Sequence, residues 1–476
     1  MRVLASLSIS ALIVCFYLSS WLVPIGMGVA HGDLESAKMF LFIGVPSLIV
    51  FLLLYRCFKN HTLQKKDGFL VVGISWLLIS FLSALPFYFA ALDVPFQAID
   101  VWLESVSALT TTGIEFVGGI ASWPITMLWY RQQLEWVGGV GVVIMMISLL
   151  TLHEGTVLSI YHGEFGRDVR DVRVTPRLSS TAKDVCYIYG GLWAGCTACF
   201  YFLGVPVLYA MMEAMATVST GGFSLDTIVP IYNQSYCQWV AIVFMILGAI
   251  GFHTHFQVLK NKSPSAYIQQ TEPRLLLVII SIVSVFVLLS TWQEAGFQDI
   301  SMVVFEVAAF ATTTGFETEI QSVYPHVVLV FALMGILGAC CGSTAGGVKL
   351  VRVHVLFQEA RMLLMRLIYP NIMNTPSVNG VALSDPYIAS VRGYVSLFLL
   401  TFFVSVLTLL SLGVKLDQSF YLICATITNV GGAVGGLEVD QLTYIQKFVL
   451  SIVMILGRLE IAALLVLLMP RYWRSN

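Results

Sequence analysis

Apolar residues run along this chain in blocks of about 20 or more, the length a helix needs to cross a bilayer's hydrocarbon core. Such blocks begin near Val3, Met39, Gly68, Ile125, Val185, Trp239, Leu275, His326, Val391 and Tyr444. They predict ten spanning helices, because only a helix satisfies its own backbone N–H and C=O groups in lipid. The first block, Val3 to Ala30, follows Arg2. It is too long for the apolar region of a signal peptide, about 7–15 residues, and is expected to remain as a span.

Between some pairs of blocks lie segments too apolar for a loop and too short for a span. Four recur: Ser107-Ala-Leu-Thr-Thr-Thr-Gly113, Ala214-Met-Ala-Thr-Val-Ser-Thr-Gly221, Ala309-Phe-Ala-Thr-Thr-Thr-Gly315 and Cys424-Ala-Thr-Ile-Thr-Asn-Val-Gly431. Their near-constant spacing marks an internal repeat. Each unit reads span, half-helix, Thr/Gly strand, span. The fold class expected is therefore an all-α polytopic membrane protein. It has four such repeats in pseudo-fourfold arrangement, preceded by two extra N-terminal spans. The divisions fall at 1–67 for the N-terminal pair, then 68–160, 161–262, 263–368 and 369–476 for the repeats.

Composition agrees. The chain of 476 residues is 58% hydrophobic and 11% charged, with a mean hydropathy of +0.86. Soluble domains carry about 25% charged residues, so a soluble enzyme, a nucleic-acid binder and a disordered scaffold are excluded. The nine cysteines lie in or beside apolar runs, the ordinary use of Cys as a small hydrophobe. Of 25 Lys and Arg, 20 fall at the N-terminus, in 55–67, 153–184, 258–274 and 349–392, and at the C-terminus. The positive-inside rule puts these segments, and both termini, in the cytoplasm.

The repeated segments carry a readable chemistry. A dehydrated cation needs replacement oxygens, and four short strands with carbonyls aimed at one axis supply them. Glycine permits the dihedrals this requires, and Thr hydroxyls add oxygens at the lower edge. Candidate ion-binding residues are Thr110, Thr111, Thr112 and Gly113; Val218, Ser219, Thr220 and Gly221; Thr312, Thr313, Thr314 and Gly315; Thr428, Asn429, Val430 and Gly431. In the third repeat Gly335, Gly338, Gly342, Gly346 and Gly347 interrupt a span, with Ser343 and Thr344 among them and Lys349 at the end. Small-residue packing explains such a run; so does an unwound stretch, since Gly is costly in helices. The run lacks the Gly-Lys-Ser/Thr of a phosphate loop.

Charges inside spans are functional suspects. Arg458 lies mid-way through the last span, either paired with Glu460 or set near the pore. Arg131 and Glu135 could pair on one helix face. Glu104, Glu213 and Glu306 precede three of the segments, as half-helix caps or scaffold, or as attractors of cations in the outer vestibule. His253 and His255 lack a nearby third ligand for a metal site.

These motifs resemble the Trk/Ktr/HKT superfamily of potassium transporters, most closely its TrkH/TrkG type. The resemblance runs nearly end to end. It includes Asp67-Gly-Phe-Leu, Tyr130-Arg-Gln-Gln, Trp136-Val-Gly-Gly, Thr175-Pro-Arg, Gly221-Gly-Phe-Ser, Gly342-Ser-Thr-Ala-Gly-Gly-Val-Lys and Gly457-Arg-Leu-Glu-Ile. The extra pair of spans favours TrkH over KtrB; Ile114, Val430 and Cys340-Cys341 depart from the usual pattern. The resemblance implies potassium uptake at a bacterial inner membrane, with potassium as transported substrate and no organic cofactor in this chain. It also implies an intramembrane gate at 335–347, a homodimer, and a cytoplasmic TrkA-type nucleotide-binding regulatory subunit; the basic segments 153–184 and 349–392 are the surfaces available to it, or equally topology determinants beside anionic lipid. The other surroundings expected are membrane lipid, with no nucleic acid. Alternatives are a proton- or sodium-coupled symporter and the potassium-binding subunit of an ion-pumping ATPase.

Overall fold

The protein is described by a computed structural model over residues 2–59, 67–90, 97–152, 178–295, 300–316, 325–370, 375–432 and 439–474. Among these residues the regular structure is helical, apart from a two-stranded ladder pairing Ser377–Val378 with Val381–Ala382.

The chain opens with Arg2–Ser19 and Leu22–Ala30, which together form the first span, and Leu34–Phe58, the second. Asp33 starts the second by accepting the Ser36 N–H at 3.2 Å. Trp21, at the break in the first span, sits edge-on to Phe40 and to Tyr130. The Tyr17 hydroxyl bonds those of Ser83 and Tyr130 at 2.6 and 2.9 Å. The N-terminal pair is thus fastened to the first repeat rather than floating beside it.

The order long helix, short pore helix, second helix then recurs four times. The first repeat runs Asp67–Phe89, Ala98–Leu109, Ile125–Leu152; the second Leu178–Phe202, Val207–Ser219, Ser235–Ala249. The third runs Thr271–Ala295, Ile300–Ala311, Pro325–Leu337; the fourth Asp385–Ser411, Leu416–Ile427, Tyr444–Arg458. The pore helices begin at local signals: a Gln97/Asp100 capping box in the first, Pro206 before the second.

Six helices among the described residues are long and apolar enough to cross a membrane, and two bent pairs raise this to eight. The other two expected spans are also helical. Ile125–Leu152 has the length of a span and carries Arg131 and Glu135 in its first half. Pro325–Leu337 has only 13 residues because the chain unwinds at Gly338. The bent pairs are second helices too: Ser235–Ala249 turns by 98° into Phe252–Asn261, and Tyr444–Arg458 by 115° into Ala462–Leu468.

Polarity is inverted relative to a soluble protein. Phe42 and Phe202 are more than 80% exposed, whereas Arg131, Glu104, Glu135, Glu213 and Glu306 are fully buried. Lipid suits the first set; the second must be satisfied inside the bundle.

Candidate functional site

The four pore helices end alike. The N–H of Thr112, Gly221, Thr314 and Val430 each reaches the carbonyl five residues back, at 2.7–3.1 Å. The residue before each, Thr111, Thr220, Thr313 or Asn429, has a φ of 51–58°. That is a Schellman ending with a side-chain-bearing residue where glycine is usual. The next turn is made by Gly113, Gly222, Gly315 and Gly431, with φ of 64–87°.

This backbone fixes the register of the second repeat. Gly222, not Gly221, is the equivalent of Gly113, Gly315 and Gly431, and the segment runs 219–222. Val218 belongs to the pore helix instead. The signal was present in the sequence: Glu104, Glu213 and Glu306 precede Gly113, Gly222 and Gly315 by nine residues each once Gly222 is chosen.

The segments meet in a closed ring. A Cβ on Gly113 would overlap the Gly221 carbonyl oxygen, one on Gly222 that of Thr314, one on Gly315 that of Val430, and one on Gly431 that of Thr112. Each quadrant thus presses the backbone of the next, and the fourth returns to the first. The second helices close in behind: Gly138, Gly248 and Gly457 lie against the carbonyls of Leu109, Val218 and Ile427, with no room for a Cβ.

Within the ring the Thr110, Thr312 and Thr428 hydroxyls donate to carbonyls one turn back, at 2.6–2.7 Å. Thr110 and Thr312 in turn accept from the Thr112 and Thr314 hydroxyls, at 2.7 and 2.8 Å, which leaves each one lone pair to coordinate. Among the described residues, no hydrogen bond reaches the carbonyl oxygens of 110–113, 220–222, 312–315 or 428–431. Backbone carbonyls buried without a partner are costly. A set of them gathered into one ring has a cation or water as its natural partner.

Directly against this ring lies the break in the third repeat. Residues 338–349 are unwound between Leu337 and Leu350, with Gly338, Gly342, Gly347 and Lys349 all at φ of 68–80°. Gly335 remains in the helix, close against Val430. The loop folds on itself through Val348 N–H to Ile336 O and Leu350 N–H to Ala339 O. Its tip touches three quadrants. Gly346 N–H donates to the Thr313 hydroxyl at 2.7 Å, the Thr344 hydroxyl meets that of Thr220 at 3.2 Å, and Gly346 abuts the Thr428 carbonyl. Ser343 bonds Cys340 O, and the Lys349 ammonium returns to Ala345 O.

Arg458 is a buried cation beside this loop. Its Nη1 donates to Thr344 O at 2.7 Å and its Nη2 reaches Gly138 O at 3.4 Å. Glu460 is not its partner. The helix ends at Arg458, and Glu460 and Ile461 turn at positive φ, which carries Glu460 to Arg352 at 2.9 Å. Arg352 also stacks over Tyr394 at 3.9 Å.

Two other charge assignments change. Arg131 pairs with Glu104 and Glu115, at 2.7 and 2.9 Å, while Glu135 accepts the Phe223 N–H at 3.1 Å. Removing one partner of such a buried pair costs about 3–5 kcal/mol. Glu104 and Glu213 serve as scaffold rather than as caps. Glu104 takes the N–H groups of Phe116 and Val117, and Glu213 that of Leu225. They hold the chain leaving the ring. His255 is occupied by the Tyr267 hydroxyl and Leu247 O. Arg167, Arg170, Arg173, Arg177 and the Thr175-Pro-Arg motif lie outside the described residues.

A helical, polytopic membrane protein with four quadrants around a carbonyl-lined ring and a loop against that ring is built as a pore. Comparison with known proteins gives the family. The chain matches the TrkH family, described as cation transport protein, over residues 36–475, and it belongs to that family. It is 32% identical over 452 residues to the Trk system potassium uptake protein TrkH of Vibrio parahaemolyticus, covering 91% of this chain and 93% of that one. TrkH of Escherichia coli strain K12 is 31% identical over 427 residues, 88% of each. The crystal structure of the potassium transporter TrkH from Vibrio parahaemolyticus superposes with a TM-score of 0.89 at 27% identity, covering 100% of both chains.

Proposed function

We propose that this chain takes up potassium across a bacterial inner membrane. Conduction passes through the ring formed by 110–113, 219–222, 312–315 and 428–431. The observation that carries this reading is the ring itself: among the described residues, the buried carbonyls of 110–113, 220–222, 312–315 and 428–431 are free of protein donors, and all four quadrants contribute. Carbonyls in this number replace a cation's hydration shell. The loop 338–349 is the gate, held against the ring by the Gly346 N–H, which donates to Thr313, and by the Thr344 hydroxyl, which accepts from Thr220. Arg458 adds a fixed positive charge there. Both termini face the cytoplasm, and the four repeats span 68–160, 161–262, 263–368 and 369–476.

Purified protein in liposomes tests this. Under opposed potassium and proton gradients, the reversal potential is expected to follow potassium alone and to be insensitive to replacing proton with sodium gradients. A reversal potential that moves with pH at fixed potassium would make the protein a coupled symporter.

Regulation comes from a cytoplasmic TrkA-type ring on a homodimer of this chain. The helix Leu350–Ile368 continues directly from the gate and exposes Arg361 and Arg366. Reversing both to Glu is expected to weaken partner binding by about tenfold, since rim charges contribute up to about 1 kcal/mol each. Pull-down of the partner by the double variant checks this; undiminished retention would move the docking surface elsewhere.

A further inference from the structure

The four quadrants are not equally supported. At the third position of the ring, three carry a side chain, Thr112, Thr314 and Val430, whereas the second has Gly221. A Gly-Gly pair leaves this quadrant with the most conformational freedom. Yet its backbone must hold a carbonyl against Gly113.

The second helix of the first repeat supplies the missing constraint. Gln132 Nε2 donates to Phe223 O at 2.9 Å, and Glu135 Oε1 accepts Phe223 N–H at 3.1 Å. The Arg131 guanidinium lies 3.4 Å from the centroid of the Phe223 ring. The residue following Gly222 is therefore gripped by its N–H, its C=O and its ring. The Glu135 carboxyl also fills the space a Cβ on Gly221 would take. At the same time Arg131 binds Glu104 and Glu115, and Glu104 holds Phe116 and Val117 of the first quadrant's exit.

Aligning the second helices by Gly138, Gly248 and Gly457 shows that two others lack this device. The positions of Arg131, Gln132 and Glu135 become Ala241, Ile242 and Met245 in the second repeat, and Leu450, Ser451 and Met454 in the fourth.

We infer that Arg131, Gln132 and Glu135 are specificity-determining positioning residues that lock the glycine quadrant to the first quadrant, so that the ring cannot close down around sodium. None of them touches the ion. The inference rests on the reading of the ring as the selectivity filter.

The test uses reconstituted protein and measures potassium flux with sodium as competitor. Gln132→Met keeps length and burial and removes one donor. It is expected to lower the potassium-over-sodium preference about fivefold, the worth of about 1 kcal/mol of hydrogen bonding, with a smaller change in maximal rate. Arg131→Met with Glu104→Gln removes the charge pair together and is expected to lower the preference further. A wild-type preference in Gln132→Met overturns the inference, whether or not the double variant folds. A lowered rate with unchanged preference does the same, since that is what a purely structural role gives. Gly315→Ser, measured alongside, separates the two readings. If it alters the preference while Gln132→Met does not, the filter stands and the staple fails. If Gly315→Ser leaves the preference intact, the filter reading itself fails.

Discussion

Gly315→Ser and Gly431→Ser are expected to abolish most potassium-over-sodium discrimination, at least tenfold, while leaving a folded membrane protein. Two effects combine. Each glycine sits at a positive φ, where an added Cβ costs about 1–2 kcal/mol. Each would also drive that Cβ into a ring carbonyl, Val430 O for Gly315 and Thr112 O for Gly431. In the proposed filter the displaced oxygen is one the ion needs, so selectivity is expected to fall before stability does. Gly113→Ser and Gly222→Ser belong to the same set, through the carbonyls of Gly221 and Thr314. Gly221→Ser acts differently, because its Cβ meets the Glu135 carboxyl at 2.6 Å rather than a ring oxygen. Ion ratios from competitive flux decide this. Wild-type ratios in all four ring variants would show that these carbonyls do not select.

The second large effect is expected at Arg458. Its guanidinium stays charged at physiological pH and, among the described residues, finds only carbonyl partners. At roughly 8 Å and an effective dielectric of about 20, it repels a potassium ion by about 2 kcal/mol. Added wholly to a barrier, that is about thirty-fold in rate. Arg458 also ties Thr344, at the loop tip, to the second helix of the fourth repeat. Arg458→Gln therefore removes a barrier and an anchor at once. Basal potassium flux per folded protein rises, and control by the cytoplasmic partner is blunted. Glu460 does not depend on Arg458 for neutralisation, since it pairs with Arg352; the variant leaves no buried carboxylate stranded. Wild-type flux with wild-type regulation would remove Arg458 from the gate.

The parts of this architecture legible in the sequence were those written in local pattern. Apolar blocks located the helices, the recurring Thr/Gly segments located the ring, and the glycine run located a break in the span, expected at 335–347 and found at 338–349. What escaped was set by distance or by backbone conformation. A Gly-Gly pair offers two candidates for one position, and composition does not choose between them. The left-handed Thr220 and the bond from Gly221 N–H to Ala216 O do. Arg131 and Glu135 stand one turn apart on one helix, yet each is claimed by residues far along the chain, Glu104 and Phe223. Arg458 and Glu460 are separated by the end of the helix that was expected to hold both. Glu104 and Glu213 carry no local sign of which loops they hold, because those loops follow only after the ring.

The shortness of Pro325–Leu337 bears on how the molecule is made. Thirteen helical residues rise about 20 Å, short of the roughly 30 Å hydrocarbon core. During synthesis this segment is a poor stop signal on its own, and the unwound residues after it carry backbone groups that lipid cannot satisfy. It becomes a stable transmembrane element only when Ala249 and Gly251 of the second repeat, and Arg458 of the fourth, are there to receive the loop. The third quarter of the chain therefore waits for the last quarter, and a nascent chain stopped before residue 458 holds its broken span as an unfinished hairpin.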